Sequence, residues 1–274
     1  MAEKYLPKPL ETYAKCATPC DKTIVEHYEA ALEARKESVT AVGKEFREQY
    51  ASKVGALIYV VPVCRVDCAY AIGMLARCLT FPTEAMDAAA ERCLVYLAQN
   101  PDLGITFNAS LEEGELELRA YSDSNWCVGH STSGWAIMYG GAAVGYGSKR
   151  QQSIALSSTE AEIMAASLAA AEVMYFRGLL REMGRDLPPT KLYVDNQGAI
   201  ELSKDAKSCQ RSRHIERRYL KVRELAAEEE LVVVYVQTDA NPADVLTKPL
   251  DRATFERHTS TLFGSASTSQ RGGC

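Results

Sequence analysis

The chain has 274 residues, a formal charge of −5, 47% hydrophobic residues and 24% charged ones. That length holds one ordinary domain plus a smaller piece, and that composition excludes a collagen-like repeat, a coiled coil and a disordered polymer. The net charge supplies no bulk attraction to nucleic acid, so a polyanionic partner requires a local basic patch.

The opening residues, Met1 to Pro7, lack a continuous apolar core and a small-residue cleavage site, so an intracellular protein, cytoplasmic or nuclear, is expected. Residues 1–50 are rich in Glu, Lys and Ala and read as exposed helix or a wrapping fragment. The longest apolar run, Val54 to Cys64, is eleven residues and contains Gly55 and Pro62. A membrane span takes roughly 20 residues, so no membrane partner is expected. Ile58, Tyr70, Ile72 and Leu75 mark a first helical region, and a second helix opens after Pro82-Thr83 and stops at Asn100-Pro101. Met86, Ala90, Cys93, Leu94 and Leu97 form its core-facing stripe. The nine cysteines form no CxxC pair and the four histidines lie far apart, which reads as reduced, buried thiols rather than a zinc site.

After about residue 106 the period changes from helix to strand. Glu115 to Tyr121 alternates as a strand ending in Ser122-Asp123, and residues 134–139 and 143–148 form a hairpin around Gly140-Gly141. Thr159 and Glu162 are spaced as a capping box for a helix from Glu160 to about Met183. Met164, Leu168, Ala171, Tyr175 and Leu179 are expected to be its buried stripe. A strand from Lys191 to Val194 ends at Asp195 and leads to a short helix through Ile200 and Leu202. Ile215, Tyr219, Val222 and Ala226 mark another helix, Leu231 to Val236 a last strand, and Asn241-Pro242 the start of a final helix. Residues 264–274 read as a flexible tail.

The acids in this plan fall at informative places. Asp123 follows the first strand, Asp195 the fourth, Asp244 comes soon after the fifth, and Glu162 lies in the first turn of the long helix. If the strands are neighbours, these carboxylates converge, and they repel one another unless cations lie among them. Oxygen-only donors select Mg²⁺ or Mn²⁺ over Zn²⁺, and two such ions suit phosphodiester displacement.

Six blocks carry a resemblance: Tyr121 to Trp126, Ser131 to Gly134, Ala155 to Glu162, Val194 to Gln197, Ser212 to Ile215, and Ala243 to Leu250. Their residues, order and intervals resemble the RNase H domain of copia-type LTR retrotransposon polyproteins. Upstream, Tyr50 to Leu75 and Leu97 to Phe107 resemble the tail of the reverse transcriptase, its thumb or connection region, whereas residues 1–45 match poorly.

The resemblance implies an α/β RNase H-like domain over residues 107–255, with a mixed five-stranded sheet of order 3-2-1-4-5 flanked by helices. A helical thumb or connection remnant over residues 1–106 precedes it, and a helix end and tail over 256–274 follow. It implies endonucleolytic hydrolysis of RNA in RNA/DNA hybrids with two Mg²⁺ ions, Mn²⁺ being an alternative, held by Asp123, Glu162, Asp195 and Asp244. Glu160 is the rival for the second place; Glu162 is preferred because Ala161 to Ala165 fits the Ala-Glu-aliphatic pattern that RNases H show there. Asn196 after Tyr193-Val194-Asp195 cannot serve as the second carboxylate of a polymerase turn, so the palm and fingers are expected as partners from the same polyprotein.

Cellular RNases H commonly carry a His in the loop before the last Asp; here the loop reads Val236 to Asn241 without one, as copia-type domains do. Lys207, Arg211, Arg213, Arg217, Arg218, Lys221 and Arg223 face only Glu216, which is seven positive residues and one negative in seventeen. Such a run is ordinarily a solvated face, but beside a phosphodiester-cleaving site it would hold phosphates. Arg211, Arg213, His214, Arg217 and Arg218 are therefore candidate substrate contacts. Ser124, Asn196 and Gln197 flank the acids as candidate partners of 2′-hydroxyls, and Trp126 is expected to pack at a core or rim. Two other readings stay open: a non-catalytic nucleic-acid-binding remnant of a decayed element, and a DNA-cleaving relative on the same fold.

Overall fold

In the computed structural model, which describes residues 2–37, 42–107, 116–127, 129–198, 200 and 221–264, the chain divides into two units. One comprises residues 1–104 with 249–256, the other 105–248 with 257–274.

The first unit is helical. Helices α1 (Thr23–Lys36), α2 (Lys44–Cys64), α3 (Ala69–Ala76) and α4 (Glu84–Gln99) supply its core. The Thr83 hydroxyl caps α4 by accepting the backbone N–H of Met86, and Met86, Ala90, Cys93, Leu94 and Leu97 are all buried, as their spacing predicts. A buried Arg65–Asp67 ion pair at 2.8 Å is completed by the Tyr96 hydroxyl donating to Asp67 at 2.8 Å. The apolar run in α2 behaves otherwise than expected: Ile58, Tyr59 and Val63 are exposed, and Pro62 sits in the last turn of the helix.

The second unit is built on a five-stranded sheet in the order β3-β2-β1-β4-β5. The strands are β1 (Arg119–Asn125), β2 (Thr132–Tyr139), β3 (Ala142–Arg150), β4 (Thr190–Val194) and β5 (Leu231–Tyr235). β1, β2 and β3 form an antiparallel meander, while β4 runs parallel to both β1 and β5. The hairpin turns on Gly140 and Gly141, whose φ values of 62° and 83° belong to the left-handed region that a tight two-residue turn requires. This mixed sheet with its helices is the RNase H-like architecture, in the strand order that the resemblance implied. β1 extends to Asn125, so Asp123 lies inside the strand rather than after it.

Helix α5 (Ser158–Glu182) covers one face of the sheet, and its contact residues differ from the expected stripe. Of the expected stripe Met164 is buried; Ala161, Ile163, Ala165, Ala166, Ala169, Ala170, Val173 and Leu180 are buried with it, whereas Ala171, Tyr175 and Leu179 are exposed and Leu168 is half-buried. Small side chains let the helix axis approach the sheet, where Ala120, Ile137, Leu192 and Val194 complete the core, so the larger residues fall outside. In length and hydropathy α5 would pass for a membrane span, but half of its apolar window is buried. Its cap also differs from expectation: Ser157, not Thr159, accepts the N–H of Glu160, and Glu160 accepts from Leu156 at 2.7 Å. Asn241-Pro242 opens only a short 3-10 helix, Pro242–Leu246, and the last helix, α6, runs over Arg252–Phe263.

Candidate active site

Four acids approach from three directions. Asp123 stands on central strand β1 beside antiparallel β2, and Asp195 directly follows β4, the parallel neighbour of β1 on its other side. Asp244 arrives on the 3-10 helix, which two contacts hold against the sheet. Asn241 is fully buried, donates through its side chain to the carbonyl of Ser122 at 2.9 Å, and accepts the N–H of Ala243. On β2, Gly134 pairs with Asp123 and leaves the gap through which this segment crosses: a Cβ there would stand 2.6 Å from Thr247 Cγ2 and 2.8 Å from Leu246 Cβ.

One carboxylate oxygen from each of Asp123, Asp195 and Asp244 lies within 4.8 Å of the others. Glu162, buried in the first turns of α5, accepts from both the backbone N–H and the hydroxyl of Ser124 through Oε1, at 3.0 and 2.7 Å. Its second oxygen is buried with no hydrogen-bond partner. Glu160 is occupied at the helix cap instead.

Burial raises all four pKa values, and mutual repulsion adds to it. Asp123 is pushed up to about 6, first by burial and then by the charge of Asp244. Glu162 is raised well above the ordinary Glu value by burial and by Asp123 and Asp195. Asp195 is raised by burial and by Asp123; Asp244 is raised by burial, against the opposing pull of Lys248. A buried orphan oxygen beside three crowded carboxylates, all of them hard oxygen donors, fits hard divalent cations and not a thiolate-seeking metal.

Three neighbours escaped the sequence reading. The Thr247 hydroxyl donates to Asp123, and Thr238 donates to Asp195 Oδ2 at 3.1 Å. Lys248 Nζ lies 2.9 Å from Asp244 Oδ1. The signal was present in Ala243 to Leu250, where Lys248 follows Asp244 at i+4, but nothing in that spacing says that a 3-10 turn would point both inward.

Among the flanking residues, Ser124 is engaged by Glu162, and Asn196 and Gln197 follow Asp195 at the start of a helical turn. Trp126 sits at a rim, as expected, its indole N–H donating to the carbonyl of Ala155 at 3.1 Å. Of the basic run, Lys207, Arg211, Arg213, His214, Arg217 and Arg218 lie outside the described residues, as do Leu202, Ile215 and Tyr219. Lys221 and Arg223 fall in the helical stretch 221–227, with Lys221 at 3.4 Å from Glu224.

No protein-family model matches the chain. It is 32% identical over 259 residues to the retrovirus-related Pol polyprotein from transposon TNT 1-94 of Nicotiana tabacum, across 93% of this chain and 19% of that protein. It is 35% identical over 220 residues to the corresponding polyprotein from transposon RE1 of Arabidopsis thaliana, across 78% of this chain and 15% of that one. Among solved structures, RNase H1 of the halophilic archaeon Halobacterium salinarum NRC-1 aligns at 21% identity and a TM-score of 0.36, over 48% of this chain and 94% of the other. The homologues of the chain are thus retrovirus-related Pol polyproteins of plant transposons, and it spans less than a fifth of the length of these curated relatives.

Proposed function

We propose that the second unit is a ribonuclease H that hydrolyses the RNA strand of an RNA/DNA hybrid, with Asp123, Glu162, Asp195 and Asp244 as its metal ligands. The observation that carries this reading is the meeting of Asp123, Asp195 and Asp244 within 4.8 Å, with a buried, unpartnered oxygen of Glu162 beside them. Mg²⁺ or Mn²⁺ bound there would neutralise the scissile phosphate and promote attack by water. The protein's own part is to hold the oxygens in place. Asn241 fixes the Asp244 segment to β1, Thr247 and Thr238 orient Asp123 and Asp195, and Ser124 fixes one oxygen of Glu162 while leaving the other free. The hydroxyl of Ser124, the side-chain amides of Asn196 and Gln197, and the basic run from Lys207 to Arg223 are read as the substrate-holding elements.

In the parent polyprotein, the helical residues 1–106 are read as a reverse transcriptase thumb or connection, with that enzyme's palm and fingers as the partner. Incubation of the purified chain with labelled hybrid, with Mg²⁺ or EDTA, and with an Asp195→Asn control tests the activity. Mg²⁺-dependent cleavage by the parent alone is expected; equal cleavage by both proteins, or none by either, overturns the assignment. Hybrid binding without cleavage would favour the non-catalytic remnant, against which the three clustered aspartates and the buried, unpartnered Glu162 oxygen speak.

A further inference from the structure

The acidic cluster already holds one positive charge of its own. Lys248 Nζ is 2.9 Å from Asp244 Oδ1, and its side chain is 32% exposed, so the ammonium is turned toward the acids rather than into solvent. Its charge also acts on Asp123 and Asp195, so all three clustered aspartates feel the same ammonium. Glu162 is different: its pKa responds to Asp123, Asp195 and Ser124, and its buried Oε2 has no partner. The contacts are thus unequal: Lys248 lies in ion-pair contact with Asp244 Oδ1, which accepts no well-aligned hydrogen bond, while Glu162 Oε2 has neither an ion-pair contact nor a hydrogen bond among the described residues.

An ammonium and a divalent cation cannot share the same carboxylate lone pairs at contact distance, and like charges so close repel strongly in a partly buried site. We propose that Lys248 is a resident cation of the site, occupying the position beside Asp244, so that a divalent ion enters there only when Lys248 is displaced. The position that includes Glu162 then fills first, against a weaker repulsion from the ammonium than at its point of contact with Asp244. Lys248 is in this sense a positioning residue, setting the order in which the ions arrive. Its backbone neighbour Thr247 is bonded to Asp123 and to the carbonyl of Asp244, while the Lys248 side chain itself is 32% exposed. This inference rests on the proposed metal-binding role of the cluster.

Mn²⁺ titration by calorimetry, with bound ions counted by electron paramagnetic resonance, tests it on the full chain. The parent should bind one Mn²⁺ well and a second weakly. Lys248→Gln should tighten the second by about tenfold or more, because a competing unit charge is gone, while Lys248→Arg should behave as the parent. A second measurement uses the unaltered protein: acylation of Lys248, followed by mass spectrometry, should be slow in EDTA and accelerate as Mn²⁺ is added. Unchanged Mn²⁺ binding in Lys248→Gln, two equivalent sites in the parent, no Mn²⁺ binding in either protein, or Mn²⁺-independent acylation each overturns the proposal. Hybrid cleavage is scored separately: a parent that cleaves with an unmoved Lys248→Gln titration sinks this inference alone, and a shifted titration without cleavage sinks only the ribonuclease assignment.

Discussion

Gly134 and Thr247 are in such close approach that a Cβ on the glycine would stand 2.6 Å from the threonine methyl. Because Gly134 pairs with Asp123 across the ladder, the absence of a side chain on β2 lets the Asp244 segment cross the sheet at the level of Asp123. Gly134→Ala must push Thr247 and Leu246 away, at a cost of about 1–3 kcal/mol for overpacking. The expected result is a lowered thermal midpoint together with loss of Mn²⁺ affinity. Retention of full Mn²⁺ affinity in a destabilised variant would show that the crossing does not set the cluster's geometry.

Asp123 makes stability depend on pH in an identifiable direction. Its folded-state pKa of about 6 lies above the unfolded value of 3.8, so the folded protein binds the proton more tightly. Its contribution is most favourable below about pH 4 and is lost as pH rises through 6. In EDTA, Asp123→Asn should therefore be more stable than the parent at pH 8, by on the order of 1–3 kcal/mol. That advantage should shrink to nothing by about pH 4. Denaturant titrations of both proteins across this range measure it, and a constant difference would contradict the assignment of the shift to this group.

The two glutamates of α5 have separable tasks. Glu160 lies at the helix cap and bonds Leu156, so Glu160→Ala should cost about 1 kcal/mol of stability and leave Mn²⁺ binding alone. Glu162→Gln should do the opposite: loss of Mn²⁺ binding and cleavage with stability in EDTA unchanged or improved, since it removes a buried charge next to Asp123 and Asp195.

Arg177 is a buried clamp fifteen residues along α5 from Glu162. Its guanidinium bonds Glu230 at 2.6 Å, the carbonyls of Pro188 and Leu187 at 2.6 and 3.2 Å, and Thr190 at 3.1 Å. It thereby ties α5 to the entries of both β4 and β5. Arg177→Met takes the donor from the Pro188 and Leu187 carbonyls and leaves Glu230 to Arg181 at 3.2 Å, and should destabilise the unit by about 1–3 kcal/mol, readable as a drop in the urea midpoint.

Much of this arrangement is legible in the sequence. Asp123 and Asp195 could be placed because each ends or interrupts a run with strand periodicity, and the Gly140-Gly141 turn fixes the β2–β3 hairpin. The face of α5 was legible only at its start, in Met164; beyond it periodicity favours large apolar residues such as Tyr175 and Leu179, whereas contact with the sheet selected alanines that permit close packing. The spacing of Thr159 and Glu162 suggested a capping box, but Ser157 accepts the Glu160 N–H, and Glu162 is turned toward Ser124. Thr247 and Lys248 stand in a turn with no period to read, so their approach to Asp123 and Asp244 emerges only from the fold.

The bond from Asn241 back to Ser122 joins residues 119 positions apart. A polypeptide that stops short of Asn241 therefore contains all five described strands but lacks both this tie and Asp244. During synthesis, the acidic cluster is completed only after the last strand of the sheet has been made.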